Sequence, residues 1–305
     1  MSAPLVSRAE RIAKRITIGV VAAIVATVIA IGIPNKVPYR LDDLPEKNRA
    51  AWTMPLDVYL APGYTRESYA QALLVQPCLA QAGYTGYTVP WRDIDAASLA
   101  LDRVPIRAFD LSVAQKRGYH IANSDDPGQA SWDDYTNRYY SEIPDRVREK
   151  CEAATGLDFE SQTYDGFRAN DLVNRLSNAA FLDARTDDKV QATVPAWRQC
   201  MSIAGYTDAG ESPADMPTPD MAYDYSTTDP TTPVSKSEKE VAMTDATCRD
   251  TSGYLDALYE AEWDRQLTLP RDLAGILLKV DTRRLAEHKA KIDEILSTMT
   301  PPRPS

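Results

Sequence analysis

Cys78-Leu79-Ala80-Gln81-Ala82-Gly83-Tyr84-Thr85 and Cys200-Met201-Ser202-Ile203-Ala204-Gly205-Tyr206-Thr207 agree at five of eight positions with identical spacing. Each copy follows an apolar, helix-compatible stretch, and a glycine beyond the last turn supplies the left-handed backbone that ends a helix. A cysteine therefore sits in the final turns of two helices. The other two cysteines, Cys151 and Cys248, also have glycine five residues on, at Gly156 and Gly253. These echoes predict two related helical halves, each with an early and a late cysteine, and pair Cys78 with Cys151 and Cys200 with Cys248. Loops of roughly 70 and 50 residues closed in this way contribute about 4 kcal/mol each by the chain-entropy relation. The bridges are read as structural staples, because nothing in the sequence marks a thiol of low pKa.

Disulfides need an oxidising compartment, and the N-terminus predicts one. Arg8, Arg11, Lys14 and Arg15 stand directly before an uncharged run from Ile16 to Ile33. At about 1.5 Å per residue such a run nearly spans a hydrocarbon core of roughly 30 Å, and the flanking cations favour a cytoplasmic N-terminus. We expect a cytoplasmic basic tail at 1–15, a transmembrane signal anchor at 16–33, and an extracytoplasmic chain after Pro34. A cleaved secretory signal has the same order of regions. The apolar run, however, continues through Ile31, Gly32 and Ile33, past the small residues Val28 and Ala30, where a cleavage site would already have turned polar. An uncleaved anchor is the favoured reading, and both readings export the rest of the chain.

The exported part is long enough for one large or two modest domains, and 44% apolar residues is ordinary for a chain that buries a core. The first fifteen residues carry +3, four cations less Glu10, so the remainder carries −13 of the net −10. Such a surface repels nucleic acid and anionic lipid or wall polymers, and no basic run offsets it. Two histidines and no CxxC spacing argue against a zinc site, and neither GxGxxG nor GxxxxGK[ST] occurs, so no metal or cofactor is expected.

The organisation reads as mainly α. A Pro-containing linker is expected at 34–63, then a helix from Thr65 to Ala82 and an irregular stretch from Thr85 to about Tyr140. Further helices follow at about 143–155, 164–182 and 187–204. Residues 206–234 hold five prolines and six acids with no Lys or Arg, and predict a mobile acidic loop. Ser235 with Glu238 has capping-box spacing, and a helix can then run to about Leu267 before Pro270 interrupts it. A second helix begins near Arg271, with Leu273, Leu277, Val280, Leu285, His288, Ile292, Ile295 and Met299 at three- to five-residue steps. The expected architecture is a transmembrane helix followed by a disulfide-stapled helical ectodomain. Its first half spans 64–185, and its second half, 186–300, ends in a long antiparallel helical hairpin able to dock on a partner.

Signals for chemistry are sparse. His120 and His288 are the only histidines, and no GxSxG accompanies them. Tyr119, Trp132, Tyr135, Tyr139 and Tyr140 lie beside Asp125, Asp126, Asp133 and Asp134; stacking faces next to polar acceptors suit a sugar or a peptide strand, although core tyrosines explain the same residues. The candidate ligand contacts are Tyr119, Trp132, Asp133, Asp134, Tyr135 and Tyr139. Paired carboxylates beside this group would instead fit a wall-directed glycoside hydrolase.

Trp197-Arg198-Gln199-Cys200-Met201, then Gly205, then Glu240-Val241-Ala242-Met243-Thr244-Asp245-Ala246-Thr247-Cys248 resembles the central signature of uncharacterised membrane-anchored or secreted proteins of actinobacteria. The resemblance covers about residues 190–298. It implies an extracytoplasmic helical domain with a Cys200–Cys248 bridge and brings no reaction or ligand. The expected role is a non-enzymatic, membrane-tethered binding or accessory module of the cell envelope, with the membrane and an envelope complex such as an exporter as partners.

Overall fold

Tyr39 and Arg40 form a short strand, β1, that pairs antiparallel with Thr268 and Leu269, β2, in the register Tyr39↔Leu269 and Arg40↔Thr268. An early and a late segment of the polypeptide thus meet in one ladder, in a computed structural model that describes residues 38–94, 107–120, 128–157, 159, 163–229 and 232–304. The expected anchor at 16–33 lies outside the described residues. Among the described residues no helix is long and apolar enough to cross a membrane.

The fold is mainly helical. After a 3-10 turn at Pro55–Tyr59 come α1 (Tyr64–Gln81), α2 (Leu111–Arg117), α3 (Gln129–Glu142), α4 (Asp145–Ala154) and α5 (Tyr164–Ala184). The short α6 (Asp188–Gln191) and α7 (Val194–Ile203) precede a second 3-10 turn, Pro213–Asp215, and α8 (Pro219–Asp224). The chain ends in α9 (Lys236–Thr251), α10 (Tyr254–Gln266), α11 (Arg271–Leu277) and α12 (Thr282–Met299). Side-chain oxygens at Asp110, Thr163, Asp187, Thr218, Ser235 and Asp281 accept the free amides that begin α2, α5, α6, α8, α9 and α12.

The repeated octapeptide adopts one local geometry twice. Gly83 has φ +94° and Gly205 φ +95°, and in each copy the following tyrosine amide reaches back to the carbonyl five residues earlier, Tyr84 to Leu79 and Tyr206 to Met201, both at 2.9 Å. Gly156 and Gly253 also have positive φ. The cysteines these glycines follow are joined as Cys78–Cys151 and Cys200–Cys248, and no cysteine is free.

Three expectations are corrected. The described part of the 34–63 linker contributes to the core. Trp52, Met54 and Leu56 are fully buried, the Trp52 indole donates to Glu262 at 2.9 Å, and the Asn48 amide donates to the Tyr259 hydroxyl at 3.0 Å. Prolines forbid a long helix here, but the apolar residues between them anchor an extended path. The stretch 206–234 is ordered where described. Arg249, Arg185 and Arg198 donate to the carbonyls of Pro213, Ala214 and Glu211, and Met216 and Met221 pack on the α9 face of Ala242 and Ala246. Arginines from elsewhere in the chain satisfy the backbone of this acidic segment.

The C-terminal hairpin does not form. Gly253, at φ +76°, breaks the first expected helix into α9 and α10, and residues 278–281 break the second into α11 and α12. The pieces then pack elsewhere: α10 along α5, α11 against α5, and α12 along α1. Ile292, Ile295 and Leu296 of α12 enter the cluster of Tyr69, Leu73 and Leu79. Amphipathic spacing fixed which face is apolar but not which helix covers it. Elements on either side of residue 185 therefore share their cores, and 64–185 and 186–300 do not separate.

Candidate functional site

Helix α3 carries Trp132, Tyr135 and Tyr139 at spacings of three and four, which places them on one face. Their rings stack in series, Trp132 on Tyr135 at 5.4 Å and Tyr135 on Tyr139 at 6.0 Å between centroids, and Tyr69 of α1 meets Trp132 edge-on at 5.3 Å. This file of rings floors a cleft of about 530 Å³ between α1, α3 and α4. At its rim stand Tyr64, 59% exposed, Tyr140, 62% exposed, and Phe159, whose ring lies 6.3 Å from that of Tyr64.

The polar groups are few and mostly committed. Arg148 pairs with Asp145 at 2.8 Å and lies over the Tyr140 ring at 5.0 Å. The Tyr139 hydroxyl donates to Glu152 at 2.6 Å; burial first, and this bond second, push its phenol well above the ordinary tyrosine range. Burial likewise raises Tyr135, whose hydroxyl has no hydrogen-bond partner among the described residues. Ser68, Gln71 and Thr136 add neutral donors and acceptors. Glu152 is the only carboxylate of the described lining. Glycoside hydrolysis needs two, roughly 5–10 Å apart across the bond.

The sequence grouping is therefore split. Trp132, Tyr135 and Tyr139 belong to the cleft, whereas Tyr119 is buried in another cluster with Phe109, Val241 and Ala242. Asp133 and Asp134 project from the exposed side of α3; Asp133 accepts from Gln129 at 2.6 Å, and Asp134 lies 4.0 Å from Arg138. Asp125 and Asp126 fall outside the described residues. Tyr64, Arg148, Glu152 and Phe159 carried no local signal, because α1, α4 and the loop after it converge on α3 only in the fold.

Both histidines hold buried glutamates away from the cleft. His120 Nδ1 lies 3.0 Å from Glu238, which also accepts the Tyr119 amide at 2.8 Å, and His288 Nε2 lies 3.1 Å from Glu67. The Ser235 hydroxyl caps α9, but the Glu238 carboxylate turns inward to these partners instead of closing the expected box.

The residues behind the resemblance form one buried constellation. Asp245 accepts from the Trp197 indole at 2.9 Å, the Tyr119 hydroxyl at 3.2 Å, and Arg249 at 2.9 and 2.8 Å, one turn from the Cys200–Cys248 bridge. A second one, Glu262 with Trp52, Arg107 and Gln266, has the same composition of indole, guanidinium and buried carboxylate. Each buried charge here is paired with an opposite charge beside it, which is how buried charges are stabilised. No protein-family model, no curated protein and no solved structure matches the chain.

Proposed function

We propose that the chain is an extracytoplasmic binding module of a bacterial cell envelope, tethered through Ile16–Ile33, that takes an uncharged sugar of the envelope glycans in the cleft between α1, α3 and α4. The observation that carries this reading is the pairing of exposed ring faces with neutral polar groups. Tyr64 and Tyr140 offer flat, electron-rich surfaces to the C–H faces of a pyranose, and Ser68, Gln71 and Thr136 offer neutral hydrogen-bonding groups to its hydroxyls, beside the Glu152 carboxylate that Tyr139 engages. Arg148 is already engaged by Asp145, so the cleft holds little free charge with which to select an ionic ligand. The four cysteines, all paired, support an oxidising compartment, and the N-terminal run supports the tether. A binding module of this kind serves an envelope machine by holding it near its glycan.

Calorimetric titration of the full chain in mild detergent with soluble wall-glycan fragments tests the reading. Binding is expected, with affinity reduced about tenfold in Tyr140→Ala and in Tyr64→Ala, at about 1.4 kcal/mol per tenfold, and retained in Asp133→Asn with Asp134→Asn. Binding unchanged by both tyrosine substitutions refutes the cleft as the site. Clearing of purified peptidoglycan that depends on Asp133 or Asp134 establishes the hydrolase in its place.

A further inference from the structure

The uncharged run ends at Ile33, and by Tyr39 the chain is already in the β1–β2 ladder, with Leu41 buried and its amide bonded to the Leu267 carbonyl at 3.0 Å. Residues 34–38 reach at most about 17 Å when fully extended. A domain of this size has a radius of gyration of about 18 Å. So short a connection keeps β1 within about 17 Å of a bilayer that holds the run.

That surface has a distinctive composition. The turn between α11 and α12 lies against β1: Leu277 and Val280 share an apolar cluster with Tyr39 and Leu41, and the Thr282 hydroxyl lies 3.4 Å from Asp43. The turn exposes Leu278 to 55%, beside exposed Lys279. Arg40 and Arg283 are also exposed, the latter 3.9 Å from Glu287, and Arg284 follows. The acids here are Asp42, Asp43, Asp281 and Glu287, of which Asp281 caps α12 through the Arg284 amide, Asp43 faces Thr282 and Glu287 faces Arg283. Four cations thus balance four acids here, while the chain beyond residue 15 carries −13 as a whole.

Resting on the anchor reading above, we propose that the α11–α12 turn together with β1 is the bilayer-facing surface of the domain, with Leu278 entering the interfacial layer and Lys279, Arg40 and Arg283 meeting anionic phospholipid headgroups. An exposed apolar side chain next to Lys279, on a surface whose charges balance, is the part of the domain least repelled by such an interface. The acidic remainder is repelled from the same headgroups, which orients the domain. Its aromatic cleft, built on α1, α3 and α4, is then held at a fixed height above the membrane.

With all four native cysteines paired, Leu278→Cys gives one free thiol for an environment-sensitive fluorophore in the full chain, reconstituted in phosphatidylglycerol-containing vesicles. Ile203→Cys, on exposed α7, is the comparison site. Blue-shifted emission and quenching by nitroxide lipids are expected at position 278 and not at 203, and Lys279→Glu with Arg283→Glu should reduce both. Carbonate extraction of the same vesicles separates the two claims. If the chain stays with the membrane but position 278 is as solvent-exposed as 203, the bilayer-facing surface is wrong and the anchor stands. If the chain is extracted, both are overturned.

Discussion

Replacing Asp245 with alanine should be among the most damaging single changes available to this protein. The carboxylate is fully buried and accepts four hydrogen bonds, two of them from Arg249, a residue 6% exposed whose guanidinium lies 4.7 Å from the Phe109 ring centre and also reaches the Pro213 carbonyl at 2.6 Å. Removing it leaves a buried cation without its counter-ion, which costs about 3–5 kcal/mol. It also strips the Trp197 indole and the Tyr119 hydroxyl of their acceptor, at about 1–3 kcal/mol each when nothing replaces it. These terms share one cavity and are not additive, so the expected loss is about 5 kcal/mol. At about 2–4 °C per kcal/mol for a domain of this size, the melting temperature falls by about 10–20 °C. Asp245→Asn keeps the shape and one acceptor oxygen and should cost about 3 kcal/mol. The double change Asp245→Leu with Arg249→Met removes both charges and should recover much of the loss. Near-ultraviolet circular dichroism during thermal and urea unfolding of the oxidised chain in mild detergent reads all three. An Asp245→Ala loss below about 1 kcal/mol, or a double variant no better than the single, refutes the reasoning.

Cys200→Ser with Cys248→Ser opens a loop with a sequence separation of 48 and should cost about 4 kcal/mol, read as a lower urea midpoint with little change in far-ultraviolet ellipticity. Tyr119, Tyr135 and Tyr139 have native pKa values raised above the unfolded value near 10, chiefly by burial. Their contribution is complete below that value and is lost as pH climbs above it, because the unfolded chain then releases protons the native state retains. Absorbance at alkaline pH should therefore show these phenols ionising together with unfolding, and an early, reversible titration of all tyrosines would contradict this. Lys289 is half-buried, and burial lowers its pKa; its ammonium donates to the Asp57 carbonyl, which also accepts the Leu60 amide. Lys289→Met should stabilise by about 0.5 kcal/mol at neutral pH, with the gain shrinking as pH rises toward the ordinary lysine range and the native lysine loses its charge.

The features that sequence made legible were local. The glycine after each late helical turn and the repeated cysteine spacing marked the helix ends and the bridges, because a Schellman-type stop is written in a few consecutive residues. What sequence could not show was pairing at a distance. Trp52 sits in a proline-punctuated segment that reads as a linker until Glu262, 210 positions away, turns toward its indole. Glu238 looks like a capping partner because its competitors, the Tyr119 amide and His120, are more than a hundred residues upstream. Gly253 was read as a marker for Cys248 and not as the joint that separates α9 from α10. Of the six candidate ligand contacts, three share the cleft because i, i+3 and i+7 fall on one helical face. Tyr119 left the group because neighbours in sequence on either side of 121–127 diverge into different cores.

The β1–β2 ladder and the Trp52–Glu262 bond have a consequence for biogenesis. Residues 38–61 are the first of the domain to be synthesised and among the last able to find their seats, since many of their partners occupy α10, β2 and α12. During synthesis this stretch, with Trp52, Met54 and Leu56 incompletely covered, must wait until nearly the whole polypeptide has been made. A chaperone would act on that interval, and premature termination anywhere before α10 would release a chain whose leading segment has only α5 to close upon, with the Trp52 indole lacking its Glu262 acceptor.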